Sequence, residues 1–222
     1  MAKAYFNQGF LDFFIELAAH NHKDWFDENR ARYIRDVKNP FAEFITALIE
    51  KLKKVEELGD IDASDCIFRI NRDIRFSKDK TPYKHQMSAA ISKGGKKDMI
   101  NPGLYIELGP EHLAIYTGMY MPDKELLHQV RLTIATNLKK FETIINQKDF
   151  KKVFEDVKGE KSKILPSELK EKAKEQALIF NKQFYLVHST DPEIILDEKL
   201  LDYIVKNYQV AAAFNDFLKS AI

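Results

Sequence analysis

The sequence predicts an α+β protein in which N-terminal helices, a central and mainly antiparallel sheet, and C-terminal helices form a single domain. Apolar residues recur with the helical period near the start of the chain and again in its second half. Between these regions the apolar period changes to two, which is typical of strands with one buried face. Because no repeat or low-complexity linker interrupts the 222 residues, we expect one domain with helices at about 8–58, the sheet at about 64–119 and helices at about 123–222.

The N-terminal region predicts three helices. Apolar residues at helical spacing in residues 10–17 indicate the first. Asn21 is placed to cap the second, because Asp24 follows three residues later, where a capping box has an acceptor. The third begins near Pro40, carries the clearest 3.6-residue apolar stripe of the chain, and ends before Gly59.

The middle of the chain predicts strands. Residues 66–71 alternate between apolar and polar, which predicts a strand that places Arg69 on one face. A second strand is expected at residues 87–92. A short apolar run at residues 184–187 predicts a further extended segment nearer the C-terminus.

The best hairpin signal joins residues 104–108 to residues 113–117 across a turn at Pro110 and Glu111. With this tip, one face of the hairpin carries aliphatic side chains and the other carries polar and aromatic ones. The groups on the second face that are suited to proton transfer are Tyr105, Glu107, His112 and Tyr116.

The overall charge and the cysteine content limit the class of protein. With 35 basic and 34 acidic residues, the net charge of +1 argues against a general nucleic-acid coat or a membrane-surface protein. Cys66 is the only cysteine, so no intrachain disulfide forms and a reducing compartment is expected. Because neither a signal peptide nor an apolar run of about 18 residues is present, we expect a soluble, cytoplasmic protein.

No motif assigns a metal, a cofactor or a reaction. The sequence contains no HExxH, no paired CxxC and no GxSxG. His20, His22 and Asp24 cluster at a predicted helix start, where capping explains polar residues. We therefore expect neither a metal nor a cofactor, and the sequence leaves open whether the protein is an enzyme and what its oligomeric state is.

The strongest functional signal is a cationic segment, residues 69–84, which has three arginines, three lysines and two acids and so a local net charge of +4. Guanidinium groups bind phosphate or carboxylate through two parallel hydrogen bonds. We therefore predict a site for a small anionic ligand, with catalysis left open. The alternative is an ion-pair network that only fixes a loop.

Two further functions compete with a small-ligand site. The first is a nucleic-acid-binding module, in which the cations contact phosphates and Tyr83 or Trp25 stacks on bases. The second is a protein-interaction domain that meets an acidic partner through the cationic segment.

Three motifs carry a resemblance to a known family. Residues 69–83 read R-x-x-R-D-x-R-F and then K-x-x-Y, residues 25–33 read W-F-x-x-N-R-x-x-Y, and residues 118–122 read G-x-Y-x-P. In these segments the chain resembles an uncharacterised bacterial family of about this length, a conserved domain of unknown function. The resemblance supplies no activity, but it implies that the matched segments converge. The predicted ligand-binding residues are Arg69, Arg72, Asp73, Arg75, Lys80, Tyr83 and Lys84, with Trp25, Asn29 and Arg30 at one wall.

Overall fold

The structure is a computed structural model that describes residues 3–98 and 100–222. Its α-helices are α1 (Gln8–Ala19), α2 (Lys23–Glu28), α3 (Arg30–Tyr33), α4 (Asn39–Leu52), α5 (Ala63–Cys66), α6 (Lys124–Thr136), α7 (Leu138–Ile145), α8 (Lys148–Phe154), α9 (Lys170–Glu175), α10 (Leu200–Val210) and α11 (Ala212–Lys219). A π-helical turn, Ile34–Lys38, joins α3 to α4. Short 3₁₀ helices lie at Gly95–Lys97, Ser167–Leu169, Ala177–Phe180 and Pro192–Leu196.

Four strands form one antiparallel sheet in the order β1-β2-β3-β4. They are β1 (Met87–Ile91), β2 (Gly103–Leu108), β3 (Leu113–Met119) and β4 (Phe184–Thr190). The predicted α+β class with a mainly antiparallel sheet is confirmed. The extended segment predicted at residues 184–187 is β4.

The chain divides into two compact units whose residue ranges interleave. The first contains the chain up to Lys96, then Tyr105–Ala114 and Ser189–Val205; the second contains Lys97–Leu104, Ile115–His188 and Lys206–Ile222. The chain passes from one to the other within β2 and within β3. The domain boundaries expected from the sequence stay a prediction.

In the first unit, α1 and α4 bury the predicted apolar stripes. Phe10, Phe13 and Phe14 of α1 are fully buried, and Phe14 meets both of the others edge-on. In α4 the buried positions are Phe41, Phe44, Ile45, Leu48, Ile49 and Leu52. Burial of this stripe follows from its 3.6-residue period, which places all six residues on one side of the helix.

The second unit has its own apolar core. Phenylalanines of α7, α8, α11 and β4 lie in this cluster, and the ring centroids of Phe141 and Phe217 are 5.2 Å apart. Gly118 of β3 has a φ of +104°, and a Cβ at this position would lie 2.4 Å from the Phe184 carbonyl oxygen. A side chain there would therefore clash with the backbone of β4.

The strand predicted at residues 66–71 is wrong, because α5 ends at Cys66 and only isolated bridges follow. Ile67 pairs with Ala89 and Asn71 pairs with Tyr83. Four positions separate the first residues of these two pairs, whereas six separate their partners. This two-residue shift of register interrupts the ladder and prevents a continuous strand.

The helix start predicted at Asn21 is also wrong. The cap of α2 is His22, whose Nδ1 accepts a hydrogen bond from the Trp25 amide at 3.4 Å. Asn21 lies one residue too early, and its side chain binds the cationic segment instead.

The β2–β3 turn agrees with the prediction. The Gly109 amide donates to the His112 carbonyl at 3.2 Å, which places Pro110 and Glu111 at the tip. Leu108 and Leu113 are both buried, as the predicted aliphatic face requires.

Candidate functional site

The cationic segment folds back on itself within the first unit. The Lys84 amide donates to the Ile70 carbonyl at 2.9 Å, and the Arg72 amide donates to the Pro82 carbonyl at 2.8 Å. These bonds hold the two arms of the segment together and leave residues 73–81 as a loop between them. We call residues 72–82 the clasped loop, for the reasons that follow.

Arg72 closes the base of the clasped loop. Its guanidinium forms an ion pair with Asp79 and donates hydrogen bonds to the hydroxyl and, at 3.1 Å, the carbonyl of Thr81. The pKa of Asp79 falls to about 2, because its carboxylate accepts from the Thr81 amide, the Arg72 guanidinium and the Thr81 hydroxyl. Arg72 is therefore occupied by the loop itself.

Asp73 and Arg75 form a second clasp. Nε of Arg75 donates to Oδ1 of Asp73 at 2.9 Å, and Nη2 donates to Oδ2 at 2.6 Å. The Arg75 amide also donates to Oδ1, at 3.2 Å. Nζ of Lys80 donates to the Ile74 carbonyl at 2.9 Å, which joins the second half of the loop to its first half.

Most of the cations of the segment form no ion pair with its two acids. Each of the two acids in the cationic segment pairs with one arginine. Within residues 3–98 and 100–222, no carboxylate forms an ion pair with any of the segment's other four cations. These are Arg69, Lys78, Lys80 and Lys84.

Lys84 has the least ordinary environment of the four. Its side chain is half-buried, and Nζ lies 5.3 Å from the centroid of the Phe68 ring. Burial lowers the pKa of Lys84, and the positive charge of Arg69 lowers it further, while the negative charge of Glu107 opposes both. The Phe68 ring in turn meets Tyr105 edge-on at 5.9 Å.

Glu107 connects two other groups predicted on this face of the hairpin. The Tyr105 hydroxyl donates to Oε1 of Glu107 at 2.8 Å. Nε2 of His112 lies 3.7 Å from Oε2. The structure thus brings Tyr105, Glu107 and His112 together, whereas Tyr116 belongs to the second unit.

Asn21 fixes the arm of the segment that carries Lys84, a role that sequence reasoning missed. Its amide nitrogen donates to the Tyr83 carbonyl at 2.9 Å, and its amide oxygen accepts from the Tyr83 amide at 3.0 Å. The amide nitrogen also lies 2.8 Å from Nε2 of His85. As an amide NH₂ only donates, Nε2 is the acceptor and the proton of neutral His85 is on Nδ1.

Tyr83 joins this arm to α2. Its ring is buried and stacks on Phe26, with centroids 4.1 Å apart and an angle of 14° between the planes. Burial raises the pKa of Tyr83. Two of the matched motif segments, residues 25–33 and 69–83, therefore converge as the resemblance implied, while residues 118–122 belong to the second unit.

The predicted wall residues have partners within their own helices or in the core. The Trp25 ring packs 5.6 Å from Phe13, and the Asn29 side chain donates to the Trp25 carbonyl at 3.0 Å. Arg30 pairs with Asp27, and its guanidinium lies over the Phe26 ring. These contacts support the stack beneath Tyr83.

A small pocket of about 80 Å³ lies beside this site, lined by His85, Gln86 and the β2–β3 turn from Gly109 to His112. His85 and Gln86 lie between the two bridges, where the register shifts. A Cβ on Gly109 would lie 2.8 Å from Cβ of Gln86, so glycine allows the turn to approach this arm. The pocket has room for several water molecules or a small polar group.

The described part of the chain contains no site suited to metal binding or to nucleophilic catalysis by cysteine. There, no group of three or more histidine, cysteine or acidic side chains is placed to hold a metal ion. Cys66 is buried, and burial raises the pKa of its thiol to about 11, so it is unreactive near neutral pH. None of the described helices combines the length and apolar character needed to cross a membrane.

The chain is thus an α+β protein in which an antiparallel sheet is joined to a clasped cationic loop and the half-buried Lys84. The chain belongs to the conserved hypothetical protein family DUF2461, whose model matches residues 9–217. No curated protein and no solved structure matches the chain. The family match agrees with the expected uncharacterised domain family, while its bacterial origin and its signature motifs stay predictions.

Proposed function

We propose that the protein binds a small ligand bearing phosphate or carboxylate, and that Arg69 and Lys84 are its main contacts. The observation that carries this proposal is the charge balance of the cationic segment. Its two acids form ion pairs with Arg72 and Arg75, and neither pairs with the segment's other four cations, of which Lys84 is influenced by a carboxylate outside the segment, that of Glu107. An anionic ligand supplies the missing negative charge.

Lys84 and Arg69 are the favoured pair because neither forms an ion pair with a carboxylate in residues 3–98 and 100–222, and because their positive charges repel each other. Lys84 is half-buried and Arg69 is exposed. Burial lowers the pKa of Lys84, the carboxylate of Glu107 raises it, and the repulsion from Arg69, the smallest of the three effects, lowers it. A bound anion adds an opposite charge close to both cations, which offsets their repulsion and favours binding.

The other predicted ligand-binding residues have supporting roles in this proposal. Arg72, Asp73, Arg75 and Lys80 hold the clasped loop in one conformation. The stack of Tyr83 on Phe26 holds the arm that carries Lys84 against α2, and Arg30 lies over the same Phe26 ring. Asn29 donates to the Trp25 carbonyl, and Trp25 packs against Phe13. Glu107 and His112 adjoin the site, and both are groups able to accept or donate a proton.

Binding is tested by thermal shift and calorimetry with inorganic phosphate, pyrophosphate and citrate. We expect at least one of them to raise the unfolding temperature of the wild-type protein. Arg69→Gln and Lys84→Met each remove one proposed contact, so each is expected to weaken binding about tenfold or more. Arg75→Gln is the matched control, since it removes one cation of the same segment that already has a carboxylate partner.

Two results contradict the proposal. One is that none of the three anions binds to the wild-type protein. The other is that Arg75→Gln weakens binding as much as Arg69→Gln does, because the effect would then follow from net charge alone. Arg72→Ala is unsuitable for this test because it opens the base of the clasped loop.

A further inference from the structure

The most exposed large apolar side chain in the described part of the chain is Phe76, in the middle of the clasped loop. Its relative exposure is 95%, and the guanidinium of Arg75 lies 5.9 Å from its ring centroid. The residues around it belong to the two clasps, so the backbone that carries the ring is fixed on both sides. The loop thus presents an aromatic ring to solvent and does not pack it.

Three exposed cationic side chains are close to Phe76 in the sequence, two of them in the clasped loop and one before it. Lys78 is exposed two residues away, Lys80 is exposed four residues away, and Arg69 is exposed on the arm below. These three cations have no carboxylate partner within residues 3–98 and 100–222. An exposed ring in a loop that also carries exposed cations without ion pairs matches the chemistry of a nucleotide strand, which offers flat bases and charged phosphates.

We propose that the clasped loop binds single-stranded nucleic acid, with the ring of Phe76 stacked on a base and Arg69, Lys78 and Lys80 at the phosphates. The proposal rests on the proposed function for the phosphate contact of Arg69, and it adds the polymer, the contacts of Lys78 and Lys80, and the stacking residue. It also changes the expected stacking residues. Tyr83 is buried and stacked on Phe26, and Trp25 is half-buried against Phe13, so Phe76 is more accessible to a base than either ring.

An acidic protein partner fits these observations less well. A stable protein interface buries roughly 800 Å² on each side around an apolar centre. In the clasped loop the ring is flanked by charged and polar side chains. The other large exposed apolar residues of the first unit lie outside the loop: Ile15, Ile34 and Val55. One ring amid cations suffices to stack a base, but it does not form the centre of a protein interface.

The test is fluorescence anisotropy with end-labelled dT12 and U12, which separates a DNA from an RNA preference. Wild-type protein is expected to bind at least one of them, with an affinity that falls as salt rises. For single strands the slope of log K against log salt is about −0.7 per phosphate contact, so Lys78→Ala should reduce the slope by about 0.7. Phe76→Ala is expected to weaken binding about tenfold, since it removes one stacked base.

Two matched controls separate these effects from general ones. Ile164→Ala truncates an apolar side chain that is 82% exposed in the second unit, and Lys206→Ala removes an exposed lysine outside the cationic segment. Neither is expected to change binding. Phe76→Trp adds a direct reporter, because a tryptophan stacked on a base loses fluorescence, whereas the natural Trp25 is packed in the protein.

The outcomes are distinguishable. If phosphate, pyrophosphate or citrate binds and neither oligonucleotide does, the nucleic-acid inference is overturned and the small-ligand proposal stands. If neither kind of probe binds, both fall. Equal binding of a 12-base-pair duplex, or oligonucleotide binding that Phe76→Ala leaves unchanged, overturns the stacking role. Binding of poly-glutamate in place of either oligonucleotide, weakened by Phe76→Ala, overturns the inference in favour of an acidic protein partner.

Discussion

At the scale of single residues, Lys84 combines a cost to stability with a proposed role in binding. Its ammonium group is half-buried, and burial lowers its pKa because the charged form loses hydration. A folded-state pKa below the unfolded-state value means that the unfolded chain binds the proton more tightly. At neutral pH this difference lowers the free energy of unfolding, and it diminishes as the pH rises through the pKa values.

We therefore expect Lys84→Met to keep or raise the free energy of unfolding at pH 7 while it removes anion binding. Methionine retains the apolar contact with Phe68 and carries no charge to desolvate. Urea unfolding and the anion titration are measured on the same preparation. Lys206→Met, at an exposed position outside the cationic segment, serves as the control for loss of a lysine. A loss of more than about 1 kcal/mol would show that the ammonium stabilises the fold through its neighbours.

Tyr33 gives a prediction at alkaline pH. Its side chain is half-buried, and this loss of hydration raises its pKa to about 12, against an ordinary value near 10. The unfolded chain therefore loses this proton first as the pH rises above 10, and the folded state is destabilised. The contribution of Tyr33 to stability is complete below pH 10 and is lost between pH 10 and 12.

Tyr33→Phe should remove this pH dependence. At pH 11 the wild-type protein is expected to have lost about 1 kcal/mol more than the variant, relative to pH 9. The Tyr33 hydroxyl has only a long contact with Sδ of Met87, at 4.0 Å, so the variant should fold normally at pH 8. Urea unfolding at pH 8, 9 and 11 measures the effect. Parallel stability curves for the two proteins would disprove the assignment.

At the scale of elements, the clasped loop depends on Asp79. The pKa of this carboxyl is depressed to about 2 by the Thr81 amide, the Arg72 guanidinium and the Thr81 hydroxyl. A depressed pKa means that the contribution is complete above the unfolded-state value near 4 and is lost as the pH falls toward 2. The loop is therefore closed at every physiological pH.

Asp79→Asn should open the loop without unfolding the protein. It removes the ion pair with Arg72 and leaves the apolar cores untouched. Limited trypsin digestion at pH 8 is expected to cut after Lys78 or Lys80 several-fold faster than in the wild-type protein, because cleavage requires a locally unfolded chain. Asp60→Asn, at an exposed acid outside the loop, is the control. An NMR titration of the Asp79 carboxyl with a midpoint near 4 would contradict the depressed pKa.

At the scale of the whole molecule, each unit has its own buried core, and the second also buries a charge. Arg131 is 7% exposed, and its guanidinium donates to the Asn181 carbonyl at 2.9 Å and to the Ser162 hydroxyl at 2.6 Å. Burial lowers the pKa of Arg131. The Arg131 side chain thus links α6 to two segments that are distant in sequence, one around Ser162 and one around Asn181.

Arg131→Met is expected to lower the free energy of unfolding by about 2–4 kcal/mol. The substitution leaves the Asn181 carbonyl without its guanidinium donor, while the Phe180 carbonyl keeps the bond from the Ser162 amide at 2.7 Å. Urea unfolding measures the loss, and Arg131→Lys should recover part of it through one remaining donor. A variant as stable as the wild-type protein would mean that water replaces the guanidinium.

Much of the fold could be predicted because its signals are local. The stripe of α4 and the two-residue tip at Pro110 and Glu111 are fixed by residues within a few positions of each other. The α5 turn was missed although its signal is local. Its capping box uses aspartate at both positions, Asp62 and Asp65, where serine or threonine and glutamate or glutamine are usual. Here the alternating pattern that begins at Cys66 favoured the wrong element.

The sequence predicted which segment carries the candidate site, but it did not predict the contacts that its side chains make. The cationic segment was found from charge alone, but the partners of Arg72 and Arg75 depend on how the loop closes. No sequence pattern links Asn21 to Tyr83, which follows it by 62 positions. The exposure of Phe76 is equally unreadable in a sequence, where its aromatic side chain suggests burial.

Periodicity, turn residues and residue counts were enough to predict the fold class, the main helices, the hairpin and the local excess of positive charge, because these signals come from residues that are near in sequence. Which cations form ion pairs depends on distances across the folded chain, so it could be read only from the structure. The same holds for the burial of Tyr83 and the exposure of Phe76, since burial depends on the fold and not on the residue type.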